Sequence, residues 1–154
     1  MILQESGVKL DISDISEFEA ELKIKLPQQY KNFMLQNNGG VPDKKLTFSF
    51  IESGSKSSCS STIEEFLVIY PPCEISLYND VKIAYSTLVE ENDIPATLFP
   101  VALDEFDNII LISISGDDIG KIYFANYEVK DTETGFLVIS LIADSFQEFI
   151  TTLQ

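Results

Sequence analysis

The sequence contains no histidine, no arginine and no tryptophan, and its 10 basic residues are all lysines. Histidine is the usual acid–base group near neutral pH and the commonest metal ligand. Its absence excludes Ser-His-Asp and Cys-His catalysis and every zinc site that needs histidine. Arginine is the preferred bidentate partner of carboxylate and phosphate, and it is missing as well. The composition therefore favours a protein that binds over one that catalyses.

Cysteines and targeting segments are also scarce. The two cysteines, Cys59 and Cys73, lack the close spacing of a metal-binding pair, and the sequence leaves open whether they form a disulfide. So few thiols are typical of a reducing compartment. The first ten residues lack the basic segment and apolar run of a secretory signal, and no stretch approaches the ~18 apolar residues of a membrane helix. We therefore expect a cytoplasmic protein without membrane contact.

Positive charge is too sparse to balance the acidic residues. With 25 acidic residues against 10 lysines, the formal net charge is −15. Residues 1–89 contain 12 acids and 8 lysines, whereas residues 90–154 contain 13 acids and 2 lysines. Such a charge repels nucleic acid and anionic membranes and speeds encounter with a basic partner. Solubility alone also explains an acidic surface, so charge leaves both interpretations open.

Two helices are predicted near the N-terminus of one domain spanning residues 1–154. Ser16 and Glu19 match a capping box, which predicts a helix that begins at Ser16. Pro27 suits the first turn of a second helix. Gly39 and Gly40 end that helix, and at least one of them should have a positive φ. The length and the 45% hydrophobic content allow a sizeable core, and no repeat or linker divides the chain.

The period of the hydrophobic pattern changes after residue 42. Residues 46–50 alternate as a strand does, and the serine-rich residues 53–62 are predicted to form a loop. Residues 63–70 are apolar and fit either a strand or a helix. Asn79 or Asp80 can cap a helix through Glu91, and Asp144 or Ser145 can cap a last helix. Four further strands are predicted at 99–103, 109–114, 121–126 and 136–141. Their short connections indicate an α+β fold with a largely antiparallel sheet.

An ordered set of residues resembles a known family. The segment Ile15–Pro42, with Leu26-Pro27, Tyr30, Phe33 and Asn38-Gly39-Gly40 in that order, looks like the opening of the SUKH superfamily. Further similarity lies at 99–104, 120–124 and 144–149, so the resemblance spans nearly the whole chain. It implies a sheet of about six strands with N-terminal helices, one middle helix and a C-terminal helix.

The resemblance also implies a role. The superfamily includes fungal cell-wall regulators and many bacterial immunity proteins, whose usual role is to bind and neutralise a cognate polymorphic toxin. Two departures concern the binding region: Asp107 stands near a place where the family often has glycine, and Ala125 and Asn126 replace a tryptophan and an acidic residue. A regulatory or scaffold module of the same fold, acting on an endogenous partner, is the alternative function.

Candidate partner-binding residues are the acidic side chains of the second half. If the hairpin turns lie at one end of the sheet, their carboxylates would form one negative patch. A nuclease toxin must present lysine or arginine to phosphate, so the patch would suit it. The alternative is that these turns are only solvated. The candidates at element ends and turns are Glu90, Glu91, Asp93, Asp104, Glu105, Asp107, Asp117 and Asp118.

Other chemistry finds little support in the sequence. Asp104, Asp107 and Asn108 lack the Asp-x-Asp-x-Asp-Gly loop and distant glutamate of a calcium-binding EF-hand. The segment 116–120 has two aspartates where a phosphate loop would need backbone amides and lysine. We therefore expect no metal and no cofactor. An enzyme that uses paired carboxylates is the third hypothesis, and a deep pocket holding two carboxylates with raised pKa would support it.

Overall fold

The computed structural model describes residues 1–71 and 79–154. These residues form four helices and eight strands, and the question of a Cys59–Cys73 disulfide lies outside them. The elements in chain order are β1 (Leu3–Gln4), α1 (Ile12–Leu22), α2 (Gln28–Asn37), β2 (Val41–Pro42), β3 (Thr47–Ile51), β4 (Ser58–Phe66), α3 (Val81–Glu90), β5 (Leu98–Asp104), β6 (Ile109–Ser113), β7 (Ile122–Lys130), β8 (Leu137–Ala143) and α4 (Phe146–Thr152).

The main sheet has six antiparallel strands in the order β3-β4-β5-β6-β7-β8, and β1 pairs with β2 in a separate small sheet. The predicted α+β class, with about six strands and helices before, within and after the sheet, is confirmed. The sheet curls so that its outer strands approach each other. The Ser53 amide donates to Ser140 Oγ at 3.1 Å. Thr47 and Gln154 exchange backbone hydrogen bonds of 2.7 and 3.1 Å.

The prediction that α1 begins at Ser16 is wrong. The helix begins at Ile12 because Asp11 and Asp14 form the capping box. Asp11 Oδ1 accepts from the Asp14 amide at 3.0 Å, and Asp14 Oδ2 accepts from the Asp11 amide at 2.8 Å. The Ser16 hydroxyl instead donates to the Ile12 carbonyl at 2.9 Å, inside the helix. Aspartate at both box positions satisfies the same free amides as serine and glutamate do.

Glu19 is a buried carboxylate that fixes the turn between α1 and α2. It is 4% exposed and accepts a 2.8 Å hydrogen bond from the Leu26 amide. Lys25 and Lys31 each approach it to 3.4 Å. Burial acts to raise the pKa of Glu19, but the Leu26 amide and the Lys31 ammonium together hold that pKa below its ordinary value. Glu19 therefore stabilises the packing of α1 against α2 and does not cap a helix.

The end of α2 is joined tightly to β4. Gly39 has φ +66° and Gly40 φ +117°, so the predicted positive φ is confirmed at both residues. Gly40 and Phe66 exchange two backbone hydrogen bonds of 2.9 Å. A Cβ atom at Gly39 would lie 2.5 Å from the Leu67 carbonyl oxygen. Glycine is needed here both for the left-handed backbone and for the close approach of two chain segments.

The loop in the serine-rich segment is shorter than predicted. Residues 53–57 connect the strands, but β4 begins at Ser58, so the loop prediction is wrong for 58–62. In the β3–β4 pairing Ser61 lies opposite Phe48 and Cys59 lies opposite Phe50. Both phenylalanines are buried. Small residues beside large rings fill this part of the sheet, and this pairing outweighs the low strand propensity of serine.

The remaining helices follow their predicted caps and complete the core. Asp80 caps α3 by accepting from the Lys82 amide at 2.8 Å, and Ser145 caps α4. The aromatic rings of α1, α2 and α4 pack on the sheet face that carries Phe66 and Phe99. Ring-centroid distances are 6.1 Å for Tyr30–Phe99 and 5.0 Å for Phe33–Phe66. The helices thereby cover that face and leave the turns at the sheet ends accessible.

Candidate partner-binding surface

The hairpin turns that carry the predicted acidic residues lie at opposite ends of the sheet. The β5–β6 turn carries Glu105 and Asp107, and the β6–β7 connection carries Asp117 and Asp118. Consecutive turns of an antiparallel meander alternate between the two ends. The five residues of β6 separate these turns by roughly 17 Å. The hypothesis that the turns share one end is therefore wrong, and the acidic residues divide into two groups.

Asp104 lies beneath the β5–β6 turn and is only 1% exposed. Its Oδ1 accepts from the amides of Phe106 and Asn108 at 2.9 and 2.7 Å. Its Oδ2 accepts from the Ser61 hydroxyl at 2.6 Å and from Asn108 Nδ2 at 3.1 Å. These four bonds use the acceptor capacity of the carboxylate, so Asp104 holds the turn in shape and faces no solvent.

The turn held by Asp104 presents an aromatic ring to water. Phe106 is 71% exposed, and its neighbours Glu105 and Asp107 are exposed as well. Asp107 has φ +62°, in the left-handed region, and its amide donates to the Asp104 carbonyl at 3.0 Å. Aspartate tolerates this region better than most residues, although glycine suits it best. The turn thus exposes a large apolar side chain on a backbone fixed by hydrogen bonds.

The outer part of β7 continues this surface. Asn108 Oδ1 accepts from the Tyr127 amide at 3.1 Å, which ties the turn to the strand. The β7–β8 register shifts after Ala125, and Tyr127 and Val129 are 50% and 44% exposed. Together these side chains place exposed apolar groups among carboxylates. We call this the Phe106 surface, and it consists of Glu105, Phe106, Asp107, Tyr127, Glu128 and Val129.

The segment after α3 contacts the end of β7 and the start of β8. Lys130 pairs with Asp93 at 2.7 Å, and the Asp93 carbonyl accepts from the Leu137 amide at 2.7 Å. The hydrogen bond to Asp93 and the nearby Glu91 carboxylate raise the pKa of Lys130. Asp93 itself is 5% exposed, whereas Glu91 and the adjacent Glu90 are exposed. Lys130 lies about 10 Å along the strand from Tyr127, so β7 links these glutamates to the Phe106 surface.

At the opposite end, Asp118 bonds to groups of its own chain. It accepts from the hydroxyls of Ser113 and Tyr123, both at 2.7 Å. Burial acts against the charged form, but these bonds hold the pKa of Asp118 below its ordinary value. Burial and Asp118 together raise the pKa of Tyr123 to about 12. Asp117 is exposed beside this network. This end therefore carries one predicted acidic residue that faces solvent and one that secures the loop.

Both lysines of the acidic half of the chain are engaged in ion pairs. The two lysines of residues 90–154 pair with Asp93 and Asp144, the second at 2.9 Å. Within residues 1–71 and 79–154, no ion pair involves the three carboxylates of the Phe106 surface. Among the described residues, therefore, no lysine competes with a partner for those three carboxylates. Sequence reasoning selected Glu105 and Asp107 but missed Phe106, Tyr127 and Glu128. The available signal was a phenylalanine in a short hairpin turn, where no core can receive it.

One depression of the described surface bears on the hypothesis of an enzyme that uses paired carboxylates. An open depression of about 700 Å³ lies between α1 and the β6–β7 connection. Its lining contains one acidic residue, Glu19, whose carboxylate already bonds to Leu26, Lys25 and Lys31. The depression therefore lacks a pair of carboxylates for acid–base work. Across residues 1–71 and 79–154 no cluster of three or more acidic or thiol side chains is arranged to hold a metal ion.

Comparison with protein families decides what the chain is related to. A model of the SMI1/KNR4 family, SUKH-1, matches residues 9–152. The chain belongs to this family. The match runs from just before α1 to the end of α4 and so includes both ends of the sheet. Among curated proteins, none matches this SUKH-1 chain. No helix in its described segments has the length and apolar content needed to cross a membrane.

Proposed function

We propose that this SUKH-1 protein is an immunity protein that binds and neutralises a cognate toxin with a basic surface, such as a nuclease. The observation that carries the proposal is the Phe106 surface, where an exposed ring stands on a fixed turn among carboxylates that form no ion pair with the rest of the described chain. Resemblance to bacterial immunity proteins of the superfamily supports this function. The protein acts in the cytoplasm as one domain spanning residues 1–154, without catalysis, metal or cofactor.

Charge indicates the kind of toxin. A nuclease must present lysine or arginine to the phosphate backbone of its substrate. The chain carries a net charge of −15, concentrated in residues 90–154. At the Phe106 surface, Glu105, Asp107 and Glu128 can face those basic groups, and Glu90 and Glu91 extend the contact. An interface of standard size, about 800 Å² on each side, would cover this end of the sheet.

Asp117 and Asp118 belong to the other end, and Asp93 and Asp104 are buried. The proposed contact therefore uses Glu90, Glu91, Glu105 and Asp107 from the predicted set. Asp93 and Asp104 lie beneath the exposed residues and hold the backbone of this contact in place through their hydrogen bonds. Acidic groups at the border of an interface act mainly by steering the encounter, so they should raise the association rate and make it sensitive to salt.

The alternative function is a regulatory or scaffold module of the same fold that binds an endogenous basic protein. The Phe106 surface would suit that partner too. A neighbouring gene that encodes a large secreted toxin would distinguish the two functions. The direct test is whether this chain protects cells that express the toxin domain of such a neighbouring gene.

Two double charge reversals make the protection test specific. Glu91→Lys with Glu105→Lys changes the border of the Phe106 surface, whereas Glu17→Lys with Asp117→Lys changes exposed sites elsewhere by the same total charge. At matched protein levels, the first pair should weaken protection and slow association, and the second should matter less. Equal protection by both would show that the acidic border is only solvated surface.

A further inference from the structure

We propose that Phe106 is the central apolar contact of the interface and that its ring enters an apolar pocket of the toxin rimmed by lysine or arginine. This inference rests on the proposed function and adds the residue that determines how long the complex lasts. It also assigns the chemistry of the partner: an apolar pocket, with cations placed to meet Glu105 and Asp107.

The fold does not account for a phenylalanine at this position. The backbone amide of Phe106 is bonded to Asp104 Oδ1 at 2.9 Å, and any residue except proline could supply that amide. The ring itself is 71% exposed and stays largely in water. A large aromatic side chain gains most when it is removed from water, which here requires a partner. Tyr127 and Val129 add exposed apolar surface on the adjoining strand.

The backbone of the turn is pre-organised for binding in the free protein. Asp104 receives four hydrogen bonds, two of them from turn amides, and Asn108 bonds to Tyr127 on β7. A fixed backbone lowers the conformational entropy lost on association. A ring on a rigid support, surrounded by polar groups that can exclude water, has the features of residues that dominate interface energetics. The carboxylates beside it then determine which partners are accepted.

Charge selects a basic partner over a second copy of the chain. Two copies meeting through this surface would place Glu105, Asp107 and Glu128 of one against the same residues of the other. Each copy also carries a net charge of −15. Like charges brought together at an interface oppose association, whereas lysine or arginine at the rim of a pocket would complement these carboxylates.

The test measures binding kinetics with a catalytically inactive form of the toxin domain encoded beside this chain's gene. Phe106→Ser removes the ring, and Ile119→Ser is the matched control, since Ile119 is 58% exposed in the β6–β7 connection at the other end. We expect Phe106→Ser to raise the dissociation rate by on the order of tenfold or more, with little change in the association rate or its salt dependence. Ile119→Ser should leave both rates unchanged.

Each other outcome has a distinct meaning. If the wild-type protein binds and Phe106→Ser alters dissociation by less than about twofold, the inference fails and the proposed function stands. If the wild-type protein does not bind the toxin domain, the proposed function fails and the inference fails with it. If the wild-type protein forms a dimer that Phe106→Ser abolishes, the surface belongs to a second copy and the basic partner is ruled out. Equal unfolding midpoints of the two variants would show that folding is not involved.

Discussion

Replacing Gly39 by alanine should disrupt the joint between α2 and β4. The change adds one methyl group at a residue with φ +66°, 2.5 Å from the Leu67 carbonyl oxygen and 2.7 Å from that of Phe66. Both neighbours are backbone atoms and cannot rotate away. Phe66 also exchanges two 2.9 Å hydrogen bonds with Gly40, so moving the segments apart would weaken those bonds.

Two costs add up at Gly39. A left-handed backbone costs an alanine about 1 kcal/mol relative to glycine. Crowding a well-packed site typically costs a further 1–3 kcal/mol, so the free energy of unfolding should fall by about 2–4 kcal/mol. For a chain of this length that loss lowers the melting temperature by roughly 4–16 °C. Gly135→Ala is the control, because Gly135 has φ +77° but no heavy atom within 4 Å of the added methyl group.

Urea unfolding followed by circular dichroism would measure both variants. Gly135→Ala should lose about 1 kcal/mol, from backbone conformation alone. Gly39→Ala should lose clearly more, with the slope of the transition unchanged. If the two variants are equally destabilised, the close approach of α2 and β4 does not exist in solution.

Two further variants concern the buried Tyr30 phenol and the partly exposed Asp118 carboxylate. The fully buried Tyr30 hydroxyl has no hydrogen-bond partner in the described part of the chain. Such a group costs about 1–3 kcal/mol, so Tyr30→Phe should be at least as stable as wild type in urea, and a clear loss would mean that the hydroxyl is bonded. The Asp118 pKa lies below its ordinary 3.8, so the stability it adds is present above that value and is lost as pH falls through the lowered pKa. Asp118→Asn should therefore flatten this acid limb. The variant should also lower the pKa of Tyr123 from about 12, with burial still holding it above its ordinary value; an unchanged value, as measured by tyrosinate absorbance, would contradict the contact.

Elements with local signals were predictable, and those set by distant pairing were not. The caps at Asp80 and Ser145 and the turn at Gly39 depend on neighbouring residues, and each lies at one of the two adjacent residues that the sequence offered for it. The start of α1 was misplaced because two possible capping boxes follow each other in the sequence, at 11–14 and 16–19, and the earlier one forms. Strand β4 was shortened in the prediction because its serines become strand residues only by pairing with β3.

The candidate site shows the same division. The positions of Glu105, Asp107 and Asp117 in short polar turns indicated that their side chains would be exposed, as they are. The burial of Asp104 depends on Ser61, which is 43 residues away and donates its hydroxyl across the β4–β5 pair. The separation of the two acidic groups follows from the single strand predicted between their turns, because consecutive turns of an antiparallel sheet lie at opposite ends, and the hypothesis of one shared end overlooked this. Phe106 was overlooked because an apolar residue in a sequence is ordinarily taken for core.

Amide chemical-shift mapping of this SUKH-1 protein with the inactive toxin domain tests the proposed binding surface most directly. The β5–β6 turn at 105–108 and the outer part of β7 at 127–130 should shift or broaden, with smaller changes at Glu90 and Glu91. The β6–β7 connection at 114–121 lies at the opposite end and should stay unchanged. Changes confined to 114–121, or to α1 and α2, would contradict binding through the Phe106 surface.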